Sequence, residues 1–184
     1  MIKIKSLTTL LIFFGLIANL SAQYEIDASV DIQDNLRDWN IRQEIVFKNT
    51  TGKNLESIYL YNWLNTFSLK DSPLANRYAE EFVRKFHFAS AEERGGTTIE
   101  NIKIQTQNAD WHRLDEHPDI IKINLQEPLP ANDKIRIQLS YQQRIPESRF
   151  TGYGFDDQYL SARYWLIKPA VFQKQWLLYS HKNL

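Results

Sequence analysis

The residues of this chain that could do chemistry are scattered, and their spacing decides what they could be. Four histidines occur: His87, His112, His117 and His181. Zinc takes three or four His, Cys, Asp or Glu ligands at compatible spacing, and the nearest grouping is His112, Asp115, Glu116 and His117. Its setting reads as a polar loop between strands, where such side chains are solvated. No H-E-x-x-H occurs, so two histidines on one helix face with a glutamate base beside them are not available. Cysteine is absent, and no serine lies in G-x-S-x-G. Glu92-Glu93 and Asp156-Asp157 are adjacent pairs, which a strand would point to opposite faces rather than assemble into an acid and a base. Gly152-Tyr153-Gly154 is too short to cradle a phosphate, and Arg94-Gly95-Gly96 reads as a turn. Trp39, Trp63, Trp111, Trp165 and Trp176 could stack on sugar rings, but their apolar neighbours favour core packing. The chain therefore offers no catalytic, cofactor-binding or metal-ligating residue.

The elements around these residues read mainly as strands. Tyr24, Ile26, Ala28, Val30 and Ile32 alternate with polar residues, the pattern of a half-buried strand. After the turn chemistry of Asp34-Asn35, the residues Trp39, Ile41, Ile45 and Phe47 continue the alternation, and Asn49 to Asn54 reads as a hairpin turn. Leu55 to Leu64 is apolar on both sides, with Tyr59, Tyr61 and Trp63 on one face and Ile58, Leu60 and Leu64 on the other. Such a strand belongs in the middle of a sheet, covered on each face. A helix over residues 72–88 is the expected cover: Ser72 is an N-cap, Pro73 sits at the first helical position, and Leu74, Tyr78, Phe82 and Phe86 recur every four residues. Strand patterns return at Ile99, Ile102 and Ile104, at Ile121 to Leu125, at Ile135 to Tyr141 and at Tyr159 to Ile167, with turns at Pro128 to Asp133 and Pro146 to Gly154. Trp176 to Tyr179 reads as a last strand with no partner after it. The expected fold is mainly β: an antiparallel β-sandwich or saddle-shaped sheet with one inserted amphipathic helix.

Residues 1–22 stand apart from this pattern. Lys3 and Lys5 precede an apolar run from Leu10 to Leu20, and Leu20-Ser21-Ala22 is a small-residue cleavage site before Gln23. That is the layout of a secretory signal peptide, with an uncleaved anchor as the alternative; the run is short of the roughly 20 residues a spanning helix needs. The expected location is periplasmic or secreted, with no stable membrane span after cleavage. Residues 23–184 hold 20 basic and 22 acidic residues. No basic field is available for a phosphate backbone, which excludes nucleic acid as a natural partner. Without disulfides, stability must come from burial, for which 43% hydrophobic residues suffice.

Certain segments carry a resemblance: Tyr24-Glu25-Ile26, Ile45 to Asn49, Ile58-Tyr59-Leu60-Tyr61-Asn62-Trp63, Asp71-Ser72-Pro73-Leu74-Ala75, Glu93-Arg94-Gly95, Arg163-Tyr164-Trp165, Pro169-Ala170-Val171 and Leu178 to Leu184. In this order they resemble the N-terminal β-domain of secreted gluzincin-type, alanyl aminopeptidase-like zinc metallopeptidases of Bacteroidetes-type bacteria. The resemblance implies a twisted β-domain packed on a thermolysin-like catalytic domain that binds zinc, supplied in cis or in trans. The H-E-x-x-H of such a domain is absent here, so the resemblance transfers no catalytic or metal residue and implies a structural, docking role. It also implies a domain incomplete at its C-terminal end. The alternative is a self-standing periplasmic module binding glycan, peptide or a protein partner.

Overall fold

The computed structural model describes residues 23–157 and 159–179; the segment 1–22, read above as a signal peptide, and residues 180–184 lie outside them. The chain runs through β1 (Tyr24–Ile32), β2 (Asp38–Lys48), β3 (Leu55–Tyr61), a 3-10 turn at Trp63–Phe67, then α1 (Pro73–Glu80), α2 (Arg84–Phe88) and α3 (Ala91–Arg94). It continues through β4 (Gly96–Ile104), β5 (Gln107–Asn108), β6 (Asp110–Leu114), β7 (His117–Leu129) and β8 (Lys134–Arg144). The short strands β9 (Gly154–Asp156), β10 (Tyr159–Ser161), β11 (Lys168–Pro169), β12 (Val171–Phe172) and β13 (Trp176–Leu177) follow. One sheet has the order β1-β2-β8-β4-β5 and a second β11-β3-β7-β6, all antiparallel, with two small hairpins, β9-β10 and β12-β13.

The core lies between the two larger sheets. Trp39, Ile41, Ile45 and Phe47 of β2 and Ile137, Leu139 and Tyr141 of β8 face Ile58 and Leu60 of β3 and Ile121 and Ile123 of β7. Period-two alternation gives each strand one face for this layer. In β4 the spacing Ile99–Ile102 breaks that period, and the register against β8 shifts between Ile99 and Asn101. This bulge returns Ile102 to the core, where it is 2% exposed.

Asn49 to Asn54 forms no hairpin. It carries the chain from β2 in the first sheet to β3 in the second, and Pro128 to Asp133 carries it back from β7 to β8. Asn49 joins both crossings. Its buried amide donates to the carbonyls of Lys53 (2.7 Å), Leu129 (2.9 Å) and Pro130 (3.0 Å), while its backbone exchanges hydrogen bonds with Asp133 and Asn132.

The single helix expected over 72–88 is three short ones. Ser72 caps α1 as read, its hydroxyl accepting from Ala75 N. The helix then ends in a left-handed residue, Phe82 (φ 59°), with Val83 N–H bonded to Tyr78 O and Phe82 N–H to Ala79 O, the hydrogen-bond pair of a Schellman motif. Leu74, Tyr78 and Phe86 are buried with Phe67 and Phe150, but Phe82 turns out to solvent, 82% exposed.

Nor does the helix cover the outer face of β3. That face, central as read because β3 lies between β11 and β7, is covered by the C-terminal segment. Trp176 stacks near Tyr59 (5.5 Å), Tyr61 and Ile120 enclose Ala170, and the Tyr61 hydroxyl donates to Leu177 O. Trp176-Leu177 has a partner, pairing back on Val171-Phe172.

The stretch Tyr159 to Ile167 is strand only at β10. Beyond it, the backbone of Trp165 to Ile167 is held by two glutamines on the inner face of the first sheet. Gln43, at the inward β2 position between Ile41 and Ile45, donates to Ile167 O and accepts from Ile167 N–H (3.3 Å) and the Tyr141 hydroxyl (2.6 Å). Gln143 donates to Trp165 O (2.8 Å). Each buried backbone group of this length of chain that lacks a ladder partner needs a substitute, and these side chains supply it.

Two predictions follow from this packing. Gln43→Leu keeps the volume but leaves Ile167 N–H, Ile167 C=O and the Tyr141 hydroxyl without partners, which should cost about 3 kcal/mol or more; urea unfolding giving a loss under about 1 kcal/mol would contradict the clamp. Phe82→Gly relieves the left-handed strain without removing a buried contact and should stabilise by about 1 kcal/mol, read as a raised unfolding midpoint.

Candidate functional site

The Asn-containing turn after β3 borders a cluster of buried polar residues. Asn62, Asn65, Thr66, Thr97, Asp119 and Gln143 are all buried. Asn65 donates to Pro118 O (2.8 Å) and accepts from Thr97 N–H (3.1 Å); Thr97 donates its hydroxyl to Asn62 Oδ1 (3.0 Å). Arg113 donates to Pro118 O (2.9 Å) and Thr97 O (3.2 Å). The turn is thereby joined to β7 of one sheet and to β4 of the other, and Arg113 of β6 links those same two strands.

Asp119 lies in this seam with 0% exposure, and its backbone carbonyl accepts from Asn62 N–H (2.7 Å). Neither carboxylate oxygen has a hydrogen-bond partner among the described residues. Burial pushes its pKa up from 3.8 to about 6, opposed by its own backbone amide and by the positive charges of His117 and Arg113. Burial also lowers Arg113 to about 10, opposed by Asp119. The guanidinium spends its donors on backbone carbonyls, and no ion pair joins the two groups among the described residues. Burial therefore penalises the charged form of this carboxyl, so that it takes up a proton near pH 6 and becomes costly to keep buried as an anion above that.

The residues weighed for chemistry are placed elsewhere. His112 is exposed on β6, Asp115 and Glu116 occupy the β6–β7 turn, and His117 begins β7. Among the described residues no three of His, Cys, Asp and Glu come together as a metal-binding group, so the ligand set zinc needs is not found there. His87 Nε2 contacts Ala75 O (3.0 Å). Glu92 and Glu93 stand in the first turn of α3, not on a strand. Glu93 closes a capping box with Ser90 and pairs with Arg149 (2.5 Å); its hydrogen bond from the Ser90 backbone holds its carboxyl below the usual range. Arg94 is a buried helix-end residue rather than a turn tip, donating to Ala89 O and Ser68 O. Asp156 ends β9 and accepts from the Ser148 hydroxyl (3.2 Å). Gly154 (φ 136°) lets the chain pass close to Pro146 O, where a Cβ would lie 2.2 Å away.

The tryptophans pack as read. Trp39 is buried edge-on to Trp165 (5.7 Å), Trp111, Trp165 and Trp176 line the core, and Trp63 lies beside Tyr61 (5.1 Å). Little in the sequence pointed to Asp119, which sits in the run Pro118-Asp119-Ile120-Ile121. A lone acid beside apolar residues at a strand start was the only hint.

No family model matches the sequence, and no curated protein matches it. Among solved structures the chain is similar to an M1 zinc metallopeptidase from Deinococcus radiodurans, with 11% identity and a TM-score of 0.39, over 68% of this chain and 20% of that one. A mutant M1 zinc metallopeptidase from Deinococcus radiodurans bound to a Tyr-Ser-Ala substrate gives 12% identity and 0.37, over 66% and 19%. A CBM3 of Hungateiclostridium clariflavum gives 10% identity and 0.25, over 66% and 71%. The chain thus spans about a fifth of the length of the metallopeptidases. Likeness at this level assigns no family.

The buried carboxyl sets a pH dependence. Because the folded-state pKa of Asp119 is raised, its contribution is fully present below about pH 4 and is lost as pH rises through about 6, a swing of about 3 kcal/mol. Asp38 acts oppositely: hydrogen bonds from Arg144 hold it below the carboxylate range, so its contribution is lost only as pH falls below that range. Asp119→Asn should flatten stability between pH 4.5 and 7 and leave the variant more stable at pH 7. Urea unfolding at both pH values tests this, and identical slopes for the two proteins would refute it.

Proposed function

We propose that this chain is a non-catalytic N-terminal β-domain of a secreted zinc aminopeptidase-like protein, whose work is to pack on a zinc-bearing catalytic domain in cis or in trans. The observation that carries this reading is the block formed by β3, the Asn62–Phe67 turn and the Ser72-capped α1. This is the segment in which the sequence resemblance is densest. The turn is hydrogen-bonded into both sheets, and its helices pack on Phe67 and Phe150. The sequence resemblance across the rest of residues 23–184 supports the same reading, as does the antiparallel two-sheet architecture. The signal-peptide pattern of residues 1–22 supports export. No H-E-x-x-H occurs in the sequence, so the catalytic zinc belongs to another domain, and this chain's contribution is positional.

No helix among the described residues is long and apolar enough to cross a membrane. In this reading the domain is held at its catalytic partner by packing, with export ending in the periplasm or outside the cell.

The test has two parts. The purified chain should hydrolyse no aminoacyl p-nitroanilide, with or without added zinc. The native product, detected with an antibody in the cells that make it, should either exceed 21.8 kDa and contain H-E-x-x-H, or co-purify with a zinc peptidase. Zinc-dependent hydrolysis by the pure chain would overturn the reading. So would a native product of this size that never associates with a zinc peptidase.

A further inference from the structure

Next to the segment gripped by Gln43 and Gln143 is a cavity of about 70 Å³, lined almost entirely by apolar atoms. Its walls include Trp63, Leu64, Ile145, Tyr153 and Tyr164. A single water occupies on the order of 10–15 Å³ by this kind of measure, so the space suits one apolar side chain. Tyr164 closes one side edge-on to Trp63, with centroids 4.9 Å apart and planes at 80°. It does so in a left-handed conformation (φ 56°) while half-exposed, a state that a bulky residue adopts only under constraint and that clusters at ligand sites.

One cation lines this apolar mouth and a second stands over the ring of Trp63, one of its walls. Arg163, itself a lining residue, lies over the Tyr153 ring at 4.0 Å and near Tyr164 at 5.9 Å; Lys168 lies over Trp63 at 4.6 Å. Neither has a carboxylate partner among the described residues, whereas Arg37, Arg144 and Arg149 are all paired.

We propose that this cavity is a peptide-docking site, taking one apolar side chain from an acidic segment of another protein while Arg163 pairs with a carboxylate beside it. Charge complementarity selects this occupant. The chain's own His181-Lys182 end is basic and does not complement Arg163 and Lys168. A sugar ring would bring hydroxyls into a space with almost no polar atoms to receive them. The site does not depend on whether this chain belongs to an aminopeptidase.

The test is a titration of the purified protein followed through the Trp63 indole N–H resonance. The probe is the capped peptide Glu-Glu-Leu-Glu-Glu, compared with versions carrying Ala for Leu or Lys for Glu, and with xylotetraose. The Leu-bearing acidic peptide should bind at least tenfold tighter than the other three. Arg163→Gln, on an exposed side chain, should abolish the preference for Glu over Lys while keeping that for Leu over Ala. Equal binding of the peptides, preferential binding of the saccharide, no saturation at millimolar peptide, or an unchanged preference in Arg163→Gln would each overturn the proposal. Self-association through this face, seen as a concentration-dependent mass that the acidic peptide does not reduce, would overturn it too.

Discussion

Two glutamine side chains on the inner face of the first sheet hold a length of backbone that no strand pairs. Gln43 gives Ile167 both a donor and an acceptor, and Gln143 takes the carbonyl of Trp165. A buried peptide group without a partner costs as much as a lost hydrogen bond, so the segment can cross the sandwich only where these amides reach it. The positions of its neighbours follow from that one constraint. Trp165 lands edge-on against Trp39, Lys168 reaches the edge of β3, and Arg163 and Tyr164 are delivered to the mouth of the apolar cavity.

The polar seam under the Asn62–Phe67 turn solves the same problem less completely. Asn65 and Arg113 bond backbone groups of both sheets and Thr97 bonds Asn62, but the Asn62 amide nitrogen and both Asp119 oxygens are left unpartnered among the described residues. A neutral carboxyl is cheaper to bury than a carboxylate, so the site holds Asp119 at least cost below about pH 6. The seam fixes where the chain leaves β3, and with it where the helices begin.

Much of this was legible in the sequence, because one physical rule produced it. Alternation marked β1, β2, β7 and β8, and the two-sided apolar pattern of Ile58 to Trp63 marked β3 as central. The cap at Ser72 was equally plain. What escaped had physical causes. Gln43 interrupts an apolar face, and nothing local says that a distant backbone will satisfy it. Asn49 to Asn54 has hairpin chemistry, yet its residues change sheets because Asn49 is bonded to chain 80 residues away. Phe82 falls on the helical stripe, but a Schellman ending needs only backbone geometry, and here a phenylalanine occupies the place where glycine is usual. The cover on β3 came from residues 170–178 rather than from the adjacent helix, a choice made by tertiary packing.

The bonding of Asn49 has a bearing on how the fold is reached. Its amide becomes fully satisfied only when Leu129 and Pro130 are in place, so the first sheet-to-sheet crossing is locked by the return crossing. Such non-local closure carries the loop entropy of the intervening chain before any reward arrives. During synthesis, the first strands emerge well before the residues that fasten their crossover, and β2 keeps one open edge until β8 arrives to pair with it. The vulnerable interval in the life of this protein is therefore the emergence of residues 49–144, when an unpaired strand edge awaits a partner still to come.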